Sequence, residues 1–142
     1  MFFGEHGCKV DEKGRLALPV KFRREMKQGV ILSKGIENCI LVYPIAEWKR
    51  LSDSLAAKAV TPASLRKLNR AIFGSASNAT FDGQGRVILP FALRTHAGIN
   101  DTAIAVGTNS YVELWNNELW EQEKASDQEQ VSELIEGFGA QP

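Results

Sequence analysis

The sequence contains few of the residues from which catalytic and metal sites are built. Its 142 residues include two cysteines and two histidines. Cys8 and Cys39 lie far apart without a CxxC motif, which argues against a disulfide framework or a zinc site and favours two small, buried strand residues. His6 and His96 have no carboxylate or thiol partner at a spacing typical of a nucleophile or a metal ligand. We therefore predict that the chain is not an enzyme and has no catalytic residue, cofactor or metal.

Long apolar runs and phosphate-binding loops are also missing. The longest unbroken apolar run covers residues 39–43, far below the roughly 20 residues that a membrane-spanning helix needs. Glu5 and His6 interrupt the N-terminus before an apolar stretch of signal-peptide length develops. Gly83 and Gly85 lie close together, but no GxxxxGK[ST] or GxGxxG motif is present. These absences predict no membrane partner, no small-molecule substrate and a cytoplasmic location.

The net charge is zero, but the charges are unevenly distributed along the chain. The first 74 residues hold 14 Lys/Arg and 7 Asp/Glu, whereas the rest of the chain holds 3 and 10. A basic half is compatible with a polyanion, and an acidic half can attract the basic half of a neighbouring copy. Two solvated faces explain the same distribution, so charge alone leaves both interpretations open.

The most informative feature that is present is an internal repeat of a short motif. Residues 11–23 recur as residues 82–94 at a constant offset of 71. The repeated Asp, Gly, Arg, Pro and Arg are Asp11, Gly14, Arg15, Pro19 and Arg23 in the first copy and Asp82, Gly85, Arg86, Pro90 and Arg94 in the second. A fixed frame of this kind indicates an internal duplication. A unit of about 45 residues rarely sustains a core alone, so we expect the two units to pack on each other.

Each motif predicts a turn, a strand and a helix start. Asp favours the first position and Gly the last position of a type I turn, where the carboxylate bonds its own backbone, so the segments beside each turn are predicted to form a hairpin. Beyond the first turn, Leu16 and Leu18 face inward by alternation and Arg15 points to solvent. Arg86 has the same position in the second copy. The motif proline then suits the first turn of a helix.

The remaining patterns predict further strands and helices around the two motifs. Apolar runs predict strands at residues 30–33, 39–43, 103–106 and 111–115. Helices are predicted at residues 45–60 and 62–73, the second capped by Thr61, and another from Asn116. The predicted class is α+β with a mainly β core. The predicted divisions are a first unit at 1–48, a helical connector at 49–74, a second unit at 75–120 and an acidic tail at 121–142.

Arg15 and Arg86 admit two interpretations. A local ion pair with Asp11 or Asp82 would hold each hairpin in register, but an exposed pair contributes little and leaves the arginine free for another role. Arginine also donates paired hydrogen bonds to guanine O6 and N7 in the major groove, which a two-stranded ribbon can enter. Basic residues crowd around the first motif, so we favour nucleic-acid contact and expect the second motif to be the weaker surface. The other residues predicted to contact DNA are Lys9, Lys13, Arg23, Arg24, Gln84 and Arg94.

Several segments resemble a known family. They are MFFG at 1–4, DEKGRLALP at 11–19, LVYPIAEW at 41–48, FDGQGRVILP at 81–90, RTHAG at 94–98 and ELW at 113–115. Together they are similar to the MraZ family of bacterial transcriptional regulators, over about residues 1–120. The resemblance implies two AbrB-like swapped-hairpin units in one pseudo-twofold domain with flanking helices. It also implies a ring-shaped homo-oligomer that binds direct repeats of double-stranded DNA, in the nucleoid, at the promoter of the division and cell-wall gene cluster containing its own gene. The DNA-contacting arginines of the family's DxxxR motifs match Arg15 and Arg86.

Three points stay open in the sequence. The competing hypothesis from another class is an oligomeric scaffold or protein-binding module that uses the same faces without specific DNA recognition. By strand alternation Ile88 faces outward, as Arg86 does, and it corresponds to Ala17 of the first unit. An exposed branched apolar residue at this position predicts contact with another chain. The acidic tail either packs on a neighbouring copy or competes with DNA for the basic half, and we favour packing.

Overall fold

The computed structural model describes residues 1–58 and 61–139. The strands are β1 (Glu5–Lys9), β2 (Arg15–Ala17), β3 (Val30–Lys34), β4 (Ile40–Pro44), β5 (Ser77–Ala79), β6 (Arg86–Ile88), β7 (Thr102–Gly107) and β8 (Val112–Trp115). The helices are α1 (Val20–Arg23), α2 (Ile45–Ala56), α3 (Pro62–Ile72), α4 (Phe91–Ala97), α5 (Asn117–Gln128) and α6 (Val131–Gly137). No helix within these two ranges is both long and apolar enough to cross a membrane.

Strands from both halves of the chain alternate in the sheets. Six strands form one antiparallel sheet in the order β1-β7-β8-β4-β3-β5, and β2 pairs with β6 in a separate two-stranded sheet. The first strand of each half pairs outside its own half, β1 with β7 and β5 with β3. The halves therefore share one apolar core, and the predicted α+β class with a mainly β core is confirmed.

The two motif turns form as predicted, but the strands beside them diverge. Asp11 N donates to Arg15 O at 2.9 Å, and Val10 and Leu16 form one isolated bridge. Beyond that bridge, β1 pairs with β7 and β2 pairs with β6. The prediction of a local hairpin is therefore wrong beyond its first bridge. The exchange buries Cys8 of β1 against Ala103 of β7, which a hairpin within one unit would not do.

The helices follow the predicted starts more closely than the predicted ends. Thr61 caps α3 by accepting a hydrogen bond from Ser64 N at 3.2 Å, as the sequence predicts. Asn116 caps α5 by accepting from Leu119 N at 3.0 Å. The helix predicted to end at residue 60 ends earlier, at Ala56, and its predicted last two residues lie outside the described ranges. The described part of the acidic tail consists of the end of α5 and the whole of α6, which a turn at residues 129–130 separates.

Both cysteines are buried, as predicted, but the prediction that both lie in strands is wrong for Cys39. Cys8 lies in β1 and Cys39 lies immediately before β4, and both thiols are free. Burial raises the pKa of the Cys8 thiol to about 11. Cys39 belongs to a second apolar cluster on the sheet, which also contains Trp115 and Trp120. This cluster holds α5 on the sheet, where Trp120 Nε1 donates to Glu5 Oε1 at 2.8 Å.

Candidate nucleic-acid interface

The two DxxxR motifs meet in the two-stranded sheet of β2 and β6. The antiparallel register places Arg15 opposite Ile88 and Ala17 opposite Arg86. Opposite residues of an antiparallel pair point to the same side, so all four side chains lie on one outward face, which we call the ribbon face. The intervening residue of each strand is buried against the core. The fold thus brings together two arginines that are 71 positions apart in the sequence.

A single carboxylate organises the first turn. Asp11 Oδ1 accepts hydrogen bonds from the backbone nitrogens of Lys13 at 3.0 Å and Arg15 at 2.9 Å. Asp11 Oδ2 accepts from Arg15 Nε at 2.6 Å. These bonds, the one from the Arg15 backbone foremost, lower the pKa of Asp11. The predicted ion pair is therefore present, and within the described ranges the two Nη atoms of Arg15 make no hydrogen bond.

The second turn repeats this arrangement and adds one contact. Asp82 Oδ1 accepts from the backbone nitrogens of Gln84 and Arg86, both at 2.9 Å, and its Oδ2 accepts from Arg86 Nε at 2.9 Å. The same bonds, that from the Arg86 backbone first, lower the pKa of Asp82. In addition, Arg86 Nη1 donates to Asp11 Oδ2 at 3.4 Å. Arg86 thus interacts with the carboxylates of both turns, whereas Arg15 interacts with one.

The geometry leaves the ends of the arginines available for a ligand. A carboxylate on Nε fixes the plane of a guanidinium and leaves terminal N–H groups for a second acceptor. The side chains of Arg15 and Arg86 are 32% and 24% exposed, so each is packed over most of its surface and still has surface open to a ligand. A bidentate acceptor with two adjacent oxygen or nitrogen atoms fits such an end, and guanine O6 and N7 form one. The ion pairs and a role in DNA recognition are therefore compatible.

The second arginine of each motif packs against the turn of the other half. Arg23 Nε donates to Leu18 O at 2.9 Å, and the Arg23 guanidinium covers Gly85 in the turn of the other half. Arg94 covers Gly14 in the equivalent way. Both glycines have a positive φ, +79° at Gly14 and +75° at Gly85, and a Cβ on either would press on the guanidinium. Each half thereby supports the turn of the other half.

The other predicted contact residues occupy two kinds of place. Lys13 and Gln84 are exposed within the two turns, beside the ribbon face. Lys9 is exposed at the end of β1, opposite Thr102, and Arg24 is exposed just after α1. Sequence reasoning missed the link from Asp11 to the other half, because nothing in the sequence shows that β2 pairs with β6.

A second group of titratable residues lies away from the ribbon face. The ligand atoms of Glu37, Cys39 and Glu113 lie within 4.8 Å of one another. Burial, followed by the carboxylate of Glu113, raises the pKa of the Cys39 thiol, so that the thiol stays protonated at neutral pH. Trp115 Nε1 donates to Glu113 Oε1 at 3.0 Å and occupies one of the carboxylate oxygens. We assign no ligand to this group, and the absence of a metal site stays a prediction.

Comparison with known proteins agrees with the sequence resemblance. A family model described as MraZ protein, putative antitoxin-like, matches residues 1–70 and 72–136, and each matched segment contains one motif. This chain belongs to the MraZ family. A MraZ relative from Dehalococcoides mccartyi, named transcriptional regulator MraZ, is 49% identical over 137 residues, covering 96% of each chain.

Two further MraZ relatives carry the same name over nearly the whole chain. The relative from Frankia alni is 42% identical over 136 residues, covering 96% of this chain and 95% of its own. The relative from Herpetosiphon aurantiacus is 38% identical over 142 residues, covering 98% and 99%. MraZ is a family of transcriptional regulators and not of enzymes, which confirms both the predicted family and the prediction that the chain is not an enzyme.

Proposed function

We propose that this protein regulates transcription by binding double-stranded promoter DNA through its ribbon face. The observation that carries the proposal is the pair of arginines on that face, each held at Nε by a carboxylate of its own turn. A two-stranded ribbon fits the major groove of B-DNA, and arginine is the side chain that most often reads guanine there. Arg15 and Arg86 are the proposed base-reading residues.

The remaining predicted residues divide between positioning and phosphate contact. Lys13 and Gln84 lie within the turns, where they would reach the groove edges, and Lys9 and Arg24 would contact the backbone phosphates. Arg23 and Arg94 add positive charge, but their packing on the opposite turns assigns them first to holding the ribbon in shape. Phosphate contacts fix the register of the protein, whereas base contacts specify the sequence.

We further propose that copies of the chain form a ring-shaped homo-oligomer that binds direct repeats. The basic first half and the acidic second half favour head-to-tail contacts, which close into a ring when the rotation per subunit permits. Several ribbon faces on one ring would bind several repeats with the added affinity of linked sites. The division into units at 1–48 and 75–120, with a connector at 49–74 and a tail at 121–142, is part of this proposal.

By its resemblance to the family, the proposed target is the promoter of the division and cell-wall gene cluster, bound in the cytoplasm at the nucleoid. Footprinting on the DNA upstream of the protein's own gene tests the target, and protected direct repeats are expected. A salt titration of binding to the protected duplex then tests the interaction. Phosphate contacts release counterions, so affinity should fall steeply between 50 and about 200 mM salt. Salt-independent binding, or no footprint, would favour the scaffold hypothesis instead.

A further inference from the structure

The ribbon face is not symmetric, and one residue makes the difference. The register relates its two ends by a pseudo-twofold axis, so that Arg15 corresponds to Arg86 and Ala17 to Ile88. Each arginine therefore lies opposite a different partner. Ile88 is 62% exposed, although a branched apolar side chain is normally buried. Ala17 offers one methyl group at the equivalent place.

The contact with another chain that the sequence predicts for Ile88 is incompatible with the proposed function. Opposite residues of an antiparallel pair have Cβ atoms about 5 Å apart, so Ile88 and Arg15 lie side by side on the ribbon face. A protein chain that covered Ile88 would also cover Arg15. A ligand that covers Ile88 is therefore the ligand that Arg15 contacts, which is DNA if the proposed function holds.

Thymine is the base with an apolar group in the major groove. Its 5-methyl group is the groove's one apolar contact point, and aliphatic side chains pack on it. We propose that Ile88 is a specificity-determining residue that contacts a thymine methyl group next to the guanine read by Arg15. This inference rests on the proposed function. Ala17 is too short to make the same contact beside Arg86, so one end of the ribbon selects thymine and the other does not.

The asymmetry also gives each chain a direction on DNA. A face with true twofold symmetry reads a palindrome equally well in both orientations. Ile88 at one end and Ala17 at the other favour one orientation, which a set of direct repeats requires of every bound copy. The same residue pair thus determines both a base preference and the polarity of binding.

Selection of binding sites from a random duplex library tests the inference whatever the operator sequence is. Wild type is expected to enrich guanines with a thymine on one side. Ile88→Ala is expected to keep the guanines and lose the thymine preference. The exchange variant, Ala17→Ile with Ile88→Ala, is expected to move the thymine preference to the other end of the site. Thermal melting of each variant should match wild type because both positions are exposed.

A deoxyuridine substitution then isolates the methyl group. Replacing the selected thymine by deoxyuridine removes that group alone and should weaken wild-type binding roughly fourfold, the effect of losing one buried methyl. Ile88→Ala should bind the two duplexes equally. Equal discrimination by wild type and Ile88→Ala would overturn the inference, as would a change in oligomer mass on light scattering. If guanines are enriched in a way that depends on Arg15 and thymine is not enriched, the inference is overturned and the proposed function stands. If no base is enriched, the proposed function itself is overturned.

Discussion

Arg86 Nη1 lies 3.4 Å from Asp11 Oδ2, the same oxygen that accepts a hydrogen bond from Arg15 Nε at 2.6 Å. One carboxylate therefore contacts the motif arginines Arg15 and Arg86 of both halves. Among the described residues, Asp82 forms an ion pair only with Arg86, the arginine of its own turn. The two arginines of the ribbon face thus differ in their carboxylate contacts as well as in the residues that lie opposite them.

This asymmetry predicts unequal effects of two equivalent substitutions. Asp11→Asn removes a charge that orients Arg15 and also attracts Arg86, whereas Asp82→Asn affects Arg86 alone. We expect Asp11→Asn to raise the Kd for operator DNA several times more than Asp82→Asn does, in fluorescence anisotropy at one salt concentration. Asparagine keeps an oxygen for the backbone bonds of each turn, so the fold should persist in both. Equal losses would show that the contact across the halves has no role.

Alanine substitution of the arginines separates recognition from stability. Arg15→Ala and Arg86→Ala should each weaken specific DNA binding by about 1–3 kcal/mol per lost guanine contact while leaving the melting temperature nearly unchanged. Arg15→Ala should have the larger effect, because more basic residues lie near it in the sequence and because Arg86 already uses one Nη on Asp11. Electrophoretic shifts and melting curves on the same samples measure both quantities.

The matched control for these variants is Arg50→Ala. Arg50 is 78% exposed on α2 and pairs with Glu47, away from the ribbon face. Its substitution removes one positive charge without touching either motif, so it should change DNA affinity little. If an arginine variant loses stability in proportion to its binding, the arginine is structural and the base-reading assignment is wrong.

The second turn offers a test with its own internal control. Gly85→Ala places a side chain at φ +75° and against the Arg23 guanidinium, which should lower the free energy of unfolding by about 1–2 kcal/mol or more. Gly83→Ala lies in the same turn, at an ordinary φ and with no atom near its new Cβ, and should be nearly neutral. Urea unfolding of the two variants gives the comparison. A neutral Gly85→Ala would remove the proposed role of Arg23 in holding the turn.

The turns illustrate how far the sequence alone leads. The spacing of Asp, Gly and Arg in each motif predicts the turn and the ion pair correctly, because both depend on residues within five positions. The same spacing does not predict that β1 pairs with β7 and not with β2, because strand alternation indicates which face is buried and not which strand is the partner. The packing of Arg23 on Gly85 has the same origin, since it joins residues that only the exchange of strands brings together.

Acidic pH should weaken the turns. The pKa values of Asp11 and Asp82 are lowered in the folded protein, so the unfolded chain takes up protons first as the pH falls. Their contribution to stability is present above the ordinary aspartate pKa of about 3.9 and is lost as the pH falls through the lower folded values. Double substitution by asparagine should flatten this part of the pH dependence in melting experiments between pH 5 and about 2. An unchanged slope would contradict the assignment.

Glu113 should behave in the opposite way. Burial, together with the nearby carboxylates of Glu37, Asp127 and Glu123, raises its pKa in the folded protein. A carboxyl group with a raised folded pKa destabilises the fold at neutral pH, and the effect disappears below its unfolded value of about 4.3. Glu113→Gln keeps an oxygen for Trp115 Nε1 and removes the charge. We expect a higher melting temperature at pH 7 and little difference at pH 4. A lower melting temperature at pH 7 would indicate that the charge itself is needed.

The tail prediction depends on a division between α5 and α6. Trp120 and Lys124 of α5 both contact Glu5, so α5 is attached to the sheet of its own chain. Three large apolar residues of α6 and its C-terminal end, Val131, Leu134 and Phe138, are exposed. Truncation after Gln128 removes the second group and keeps the first. If the tail packs on a neighbouring copy, the shortened chain should melt as wild type does, form a smaller oligomer on light scattering and bind repeated operators more weakly through lost avidity.

Competition with DNA predicts instead that the same truncation strengthens DNA binding, because the removed segment carries the acidic residues Glu129, Glu133 and Glu136. The full-length variant Glu133→Gln with Glu136→Gln lowers the charge and leaves the apolar residues in place. Under packing, this variant keeps both its oligomer size and its affinity. Under competition, it binds random DNA more tightly, mostly at low salt where exposed charges are least screened. We expect packing, since a neighbouring copy would bury the exposed apolar residues of α6, and this burial favours association.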